Sequence, residues 1–356
     1  MNYQLSYNST NMVTDTSLRI LNYIAEKEEA SPKELAVFLG ISSQALFKQL
    51  HKLLGQGKID KVGTPPVVFY RIHSEEQVKV KKTIDSYLAS KDCIFQKDTE
   101  LASSIEDNFL YITPQGDMKT GIEGFLLWCV DKSRDFNKTA SEYKSVTTES
   151  QAFYKNGFID ATDKMIHTFK TDIRLDGMYY LDFYVLKVFG KTKLGMLLLY
   201  GKQNQDIAMM RQVISAVEVG IYKFVKQYDI GTIVFVPPTI YRNVQFMKEL
   251  DEQLRLPLAR IQLKKAKGEV SVAQKTLSSL KDRIENAKNT IFIASYSEYI
   301  QPSQGKNILV IDDAVGSGAT INEIARKITE KGLKTGKIYG LAITGSMNGF
   351  EVINEV

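Results

Sequence analysis

Residues 307 to 320, Asn-Ile-Leu-Val-Ile-Asp-Asp-Ala-Val-Gly-Ser-Gly-Ala-Thr, constrain the fold more than any other stretch of the chain. Ile308 to Ile311 are uniformly apolar and rich in β-branched side chains. Such a run, without polar alternation, fits a central parallel strand covered on both faces. The adjacent acids Asp312 and Asp313 then fall at the strand's carboxyl end, the edge where open α/β sheets bind ligands. Gly316 and Gly318 let the backbone approach an anion and take up positive φ. The N–H groups of residues 315–320, the Ser317 and Thr320 hydroxyls and a helix N-terminus near Ala319 supply donors and the positive end of a dipole. The stretch reads as a socket for a phosphorylated sugar, its two carboxylates accepting from vicinal ribose hydroxyls. The plainer alternative is a strand-to-helix turn with two surface acids.

A Walker loop is excluded because no Gly-Lys-Ser/Thr follows the glycines, and a dinucleotide fingerprint is disfavoured because the glycines follow an acid pair instead of the strand itself. The segment resembles the phosphoribosyl-diphosphate (PRPP) signature of type I phosphoribosyltransferases. That resemblance implies that Asp312 and Asp313 hold the ribose hydroxyls and that Ala314, Val315, Gly316, Ser317, Gly318, Ala319 and Thr320 hold the 5′-phosphate. Gly316-Ser317 stands where many members carry two threonines, one hydroxyl fewer.

From about residue 150 strands and helices alternate, which predicts an α/β domain over 150–356 with a parallel sheet and flanking helices. Strands are expected at 231–236, 258–262, 290–294, 307–312 and 337–344, and helices at 206–227, 240–254 and 318–331. Val236-Pro237-Pro238-Thr239 places a rigid turn at a second carboxyl strand end, followed by Arg242; it is either a pyrophosphate-binding turn or a strand end stiffened by proline. The order of Val236-Pro237-Pro238, Arg242, residues 273–286 and the 308–320 segment resembles the ComF-type, amidophosphoribosyltransferase-like proteins. It implies that Pro238, Thr239 and Arg242 meet pyrophosphate, and that Lys275, Lys281 and Arg283 lie on or beside a mobile loop that closes over it. Lys281, Asp282, Arg283 and Glu285 also fit an ordinary solvated helix face. The cysteine-rich zinc module common in that group is missing, and Arg242-Asn243-Val244-Gln245-Phe246 matches the family's run only loosely.

Residues 15–73 carry a second pattern. Leu18, Ile20, Leu21, Ile24 and Ala25 recur at helical spacing; Ser31, Pro32 and Glu34 give a capping box with proline at the first helical position; Gly40 makes a turn; Ser42 or Ser43 caps a third helix through Leu46, Phe47, Leu50 and Leu53. Residues 58–72 fit two strands with a tip at Gly63 to Pro66. The segment resembles the winged-helix DNA-binding family. That implies a third helix in the major groove, with Ser43, Gln44, Lys48 and His51 near bases and Lys52 and Lys61 near phosphates. Winged helices also serve as dimerisation or protein-docking modules, and this third helix has no arginine.

Residues 74–149 form a mostly helical connector, with helices around 75–90, 99–109 and 120–131. Trp128 and Cys129 lie in an apolar run and are expected in a core. Two cysteines and three histidines make a structural metal site improbable, and the net charge of +5 permits nucleic-acid binding without requiring it. No stretch approaches eighteen consecutive apolar residues, and MNYQLSYNSTNMV lacks the basic and apolar regions of a signal peptide. A cytoplasmic protein without a membrane partner is expected, as a homodimer or other homo-oligomer.

The sequence thus predicts a phosphoribosyltransferase-like protein that binds PRPP or a nucleotide 5′-phosphate with Mg²⁺ and couples this to nucleic acid through the winged helix. Mg²⁺ would be held mainly by ligand and water, with no dedicated protein ligands. Two alternatives stay open: a non-catalytic regulator that senses the same ligand, and a nucleotide-handling effector of a bacterial defence system.

Overall fold

A computed structural model of the chain describes residues 16–64, 67–73, 75–113, 117–238, 242–265, 279–296 and 305–346. These divide into two compact units, one comprising residues up to 107 with 111–136, the other 108–110 with 137–356.

In the first unit α1 (Thr16–Lys27), β1 (Glu29–Ala30), α2 (Pro32–Leu39), α3 (Ser43–Gly55), β2 (Ile59–Thr64) and β3 (Val67–Ile72) follow one another, with the strands ordered β1-β3-β2. The capping box forms as expected: Ser31 Oγ accepts from the Glu34 N–H at 3.2 Å, while the Ser31 N–H donates to Glu34 Oε2 at 2.8 Å. Gly40 ends α2 in a left-handed conformation, and Ser42, not Ser43, caps α3. Ile20, Ile24, Leu35, Leu46, Leu50 and Leu53 are fully buried in one small core. Leu18 is not part of it: it is 56% exposed, because Ser17, Ile20 and Ile24 define the inward stripe of α1 and Leu18 falls off that stripe. Then come α4 (Glu75–Leu88), α5 (Ile94–Lys97), α6 (Thr99–Asn108), β4 (Leu110–Ile112), β5 (Met118–Thr120) and α7 (Gly121–Asp131). Trp128 and Cys129 are buried in α7. Arg71 on β3, itself buried, lies 3.4 Å from the Asp117 carboxylate just before β5.

The second unit begins with α8 (Phe136–Gln151), β6 (Tyr154–Lys155), β7 (Phe158–Asp160), α9 (Thr162–Phe169), β8 (Gly177–Phe183), β9 (Val185–Leu186), β10 (Gly190–Lys191), α10 (Lys193–Asn204) and α11 (Ile207–Gln227). It continues through β11 (Ile230–Phe235), α12 (Phe246–Leu254), β12 (Ala259–Lys265), α13 (Leu280–Thr290), β13 (Ile291–Tyr296), β14 (Asn307–Val315), α14 (Ala319–Glu330) and β15 (Ile338–Gly345). Eight strands form one sheet in the order β13-β12-β11-β14-β15-β8-β7-β6. Its middle, β12-β11-β14-β15-β8, is parallel, and both margins are antiparallel.

The apolar run at 308–311 is explained by two cores, one on each side of β14. Ile308 and Val310 pack into one, Leu309 and Ile311 into the other, and all four are fully buried. The strand runs to Val315, three residues beyond the expected end, because β15 continues beside it and pairs Ala314 with Thr344 and Val315 with Gly345. The helix expected from 240 begins at Phe246. The preceding residues spend their polar groups elsewhere: the Val244 N–H donates to Gln205 Oε1 at 3.2 Å, and Gln245 Nε2 donates to the Arg242 carbonyl at 2.8 Å. At one margin of the sheet the Lys327 ammonium donates to the Ile291 and Lys288 carbonyls and lies 4.7 Å from the centre of the exposed Phe292 ring. No helix among the described residues is long and apolar enough to cross a membrane.

Candidate functional site

The acids of β14 project from a strand gripped on both sides, so their backbone is fixed before any ligand arrives. Strand alternation sends Asp312 and Asp313 to opposite faces. Asp313 meets the ammonium of Lys202, near the end of α10, in an ion pair whose side chains are only 16% and 23% exposed. Asp312 Oδ1 accepts the Asp313 N–H at 2.8 Å. Asp312 also faces the charge of Lys265 at the end of β12; burial lowers the Lys265 ammonium pKa and the Asp312 carboxylate partly offsets that. Each acid therefore has a lysine counter-charge.

Beyond the acids, residues 316–318 bend and α14 begins at Ala319. Gly318 supplies the left-handed residue, with φ of 74°, and as the helix N-cap it offers no side chain to the first turn. Ser317 is buried, its Oγ 3.4 Å from the Ala319 N–H. Val315 and Ala319 are buried, and Ala314, Gly316 and Thr320 are half-buried.

The turn after β11 is held to the same edge by the Val236 N–H, which donates to the Ile311 carbonyl at 3.0 Å, so that Pro237 and Pro238 follow directly beside Asp312. Arg242 Nη1 donates to the Lys202 carbonyl at 2.8 Å. The structure thus brings Arg242, Lys202 and Asp313 into one connected group. Thr239 and Lys275 lie outside the described residues. Lys281 is exposed in the first turn of α13, but Arg283 is only 3% exposed, and burial pulls its guanidinium below the ordinary range. Arg283 therefore does not share the solvated helix face on which Lys281, Asp282 and Glu285 were expected beside it: the helix turns it into the interior.

Two residues of this sheet edge carry no motif that the sequence reveals. Lys202 stands 111 residues from its partner. Asp182, on β8, pairs in register with Thr344, whose hydroxyl in turn contacts the Asp313 carbonyl at 3.3 Å. One Asp182 oxygen accepts from the Tyr154 hydroxyl at 3.0 Å and from the Phe183 N–H at 2.7 Å. Burial pushes its carboxyl up to about 6 against the lowering effect of those two donors. An acid flanked by Leu181 and Phe183 in an otherwise apolar strand is the one signal that marks it.

In the first unit α3 turns Leu46, Leu50 and Leu53 inward and leaves Ser43, Gln44, Lys48, His51 and Lys52 exposed, with Lys61 exposed on β2. Phe47, 43% exposed, shares that outer face. The face is polar with one aromatic side chain.

Comparison with known families agrees with this division. The MarR family profile matches residues 13–66, and that of the phosphoribosyl transferase domain matches residues 204–344. No curated protein matches the chain. Among solved structures, a hypoxanthine phosphoribosyltransferase from Staphylococcus aureus aligns at 13% identity over 40% of this chain and 68% of its own, with a TM-score of 0.25. A hypothetical protein from Neisseria gonorrhoeae with bound ppGpp aligns at 12% identity over 40% of this chain and 72% of its own, with a TM-score of 0.24. Both likenesses are too slight to bear on the site. The chain therefore carries a MarR-type winged-helix domain toward its amino terminus and a phosphoribosyl transferase domain toward its carboxyl terminus.

Proposed function

We propose that the second unit binds PRPP, or a related ribose 5-phosphate compound, and transfers the ribosyl phosphate to a nucleophile, while the winged helix binds nucleic acid. The observation that carries this reading is the acid pair Asp312-Asp313 followed by a glycine-opened helix at the carboxyl edge of a parallel sheet. In such a transfer the C1–O bond breaks toward pyrophosphate, which leaves with the electron pair, and the acceptor's lone pair forms the new bond to C1. The protein must fix the 5′-phosphate, orient the ribose, neutralise the leaving group and exclude water. Residues 314–320 serve the first task and Asp312 with Asp313 the second. Pro238, Thr239, Arg242, Lys275, Lys281 and Arg283 serve the third. Mg²⁺ would enter with the ligand, held mainly by the ligand's own oxygens and water, since both site acids already face lysines. When bound, it would neutralise pyrophosphate charge.

The exposed face of α3, with Ser43, Gln44, Lys48 and His51, and the flanking Lys52 and Lys61, supports the nucleic-acid half and also favours a second reading, a ligand-sensing regulator. A thermal-shift titration with PRPP and Mg²⁺ tests the socket. Ligand at about a hundredfold its dissociation constant contributes about 2.7 kcal/mol. For a unit of roughly 220 residues that is a rise of about 5–11 °C. No shift with PRPP, ribose 5-phosphate or any nucleoside 5′-monophosphate would sink the reading. Pyrophosphate release then marks an enzyme, whereas binding without turnover and a ligand-shifted affinity for nucleic acid marks a sensor.

A further inference from the structure

Tyr180 and Asp182 stand two residues apart on β8, so strand alternation puts both side chains on one face of the sheet. That face is also the one to which Asp312 turns. Register lines up Asp312 of β14, Ala342 of β15 and Tyr180 of β8 in one row, and Val310, Ala342 and Tyr180 belong to one core. Two strand spacings, about 10 Å, separate the backbones of Asp312 and Tyr180. Asp182 lies one pleat nearer the carboxyl edge.

The Tyr180 ring reaches into the gap between these two acids. A Cβ on Gly345 would come 2.3–2.4 Å from the ring's Cδ2, Cε2 and Cζ, so the ring rests against the Gly345 backbone. Gly345 lies three residues beyond Ala342, the neighbour of Tyr180 on β15, and pairs with Val315. The side chain therefore runs along the sheet toward its carboxyl edge and leans onto β15. Its hydroxyl is buried and has no hydrogen-bond partner among the described residues, a costly state for a polar group unless a ligand completes it.

Asp182 is anchored through one oxygen. Oδ1 accepts from the Tyr154 hydroxyl at 3.0 Å and from the Phe183 N–H at 2.7 Å, whereas Oδ2 makes no hydrogen bond among the described residues. Such a carboxylate is fixed in orientation and keeps one oxygen ready to take a proton. Its raised pKa also suits a base that works near neutral pH. The titratable groups around the pair are Tyr154 of β6, Tyr143 of α8 and Lys164 of α9, whose ammonium lies 5.9 Å from the Tyr180 ring centre.

We propose that Asp182 is the general base of the ribosyl transfer, taking the proton of an acceptor seated between β14 and β8, and that the Tyr180 hydroxyl positions this acceptor. This rests on the reading of residues 312–320 as the socket of that transfer. The acceptor's lone pair forms the bond to C1, pyrophosphate leaves with the electrons of the C1–O bond, and the acceptor's O–H or N–H proton passes to Asp182 Oδ2. An acceptor arriving as an anion would meet a carboxylate, so the class favoured is a neutral O–H or N–H compound.

The test measures pyrophosphate release from PRPP–Mg²⁺ by the full chain, with water and methanol as O–H acceptors and with azide, which has no proton to lose. Wild type, Asp182→Asn and Tyr180→Phe are compared. Asp182→Asn should slow the water and methanol reactions by about a hundredfold or more. It should leave the azide reaction and the calorimetric affinity for PRPP undiminished. The wild-type rate with water should climb as pH rises through about 6, and this dependence should vanish in the variant. Tyr180→Phe removes only the buried hydroxyl, so it should raise the melting temperature yet slow both O–H reactions. Slowing of all three acceptors by one factor, or of none, overturns the role of Asp182 and leaves the transfer standing. A stabilised and fully active Tyr180→Phe overturns the positioning role. A wild type that binds PRPP and releases no pyrophosphate with any acceptor overturns the transfer and its base together, and one that does not bind PRPP overturns the socket itself.

Discussion

Replacing Asp182 by asparagine offers a test of the acid in β8 whose outcome has a definite sign. The Asp182 carboxyl is raised from 3.8 to about 6, first by burial. Between those values the folded chain holds a proton that the unfolded chain has released, so stability falls as pH rises from about 4 to about 6, and the loss is complete above the folded value. A rise of that size corresponds to about 3 kcal/mol, an upper figure for a side chain that keeps some contact with solvent. Asparagine is nearly isosteric with the protonated acid. Its oxygen can still accept from the Tyr154 hydroxyl and the Phe183 N–H, and it carries no charge. The variant should match the wild type at about pH 3, below both values, and exceed it at about pH 8 by up to about 3 kcal/mol, or roughly 6–12 °C in the melting temperature of the second unit. Calorimetric scans of both proteins at closely spaced pH values isolate the effect, because every other titrating group is common to the pair. A difference that stays constant across that pH range, or one that favours the wild type at its alkaline end, would refute the claim that burial governs this carboxyl.

Asp312→Asn combined with Asp313→Asn should abolish ribosyl binding in calorimetric titration while circular dichroism shows the fold retained, since the neighbouring apolar residues of β14 carry the packing; unchanged affinity would make the acids structural only. Lys48→Ala and Lys52→Ala should each lower the salt slope of nucleic-acid binding by about one unit in fluorescence anisotropy. If the wild type binds neither duplex nor single strand at low salt, the winged helix is a docking or dimerisation module instead.

The parallel centre of the sheet is legible in the sequence because burial on two faces leaves an unmistakable mark on composition. The strands expected at 231–236 and 337–344 are found at Ile230–Phe235 and Ile338–Gly345. Ser31 and Glu34 are legible for a local reason: a capping box is closed within four residues. What stays hidden is tertiary. Lys202 becomes a site residue only because α10 returns to the sheet beside Asp313. Asp182 acquires its altered titration from surroundings that no spacing records. Arg283 falls on the side of α13 marked by Leu280, Ile284 and Ala287, yet spacing alone does not tell a covered arginine from one that reaches solvent.

The margins of the eight-stranded sheet bear on how the chain avoids its own kind. An outermost strand offers unpaired backbone groups to any passing strand. One margin, β6, is two residues long and too short to template another chain. The other, β13, spans six residues and exposes Phe292, which would make it an invitation to growth. There the Lys327 ammonium holds the Lys288 and Ile291 carbonyls, where α13 hands over to β13, and lies near the Phe292 ring, so the strand begins under a charge that α14 supplies.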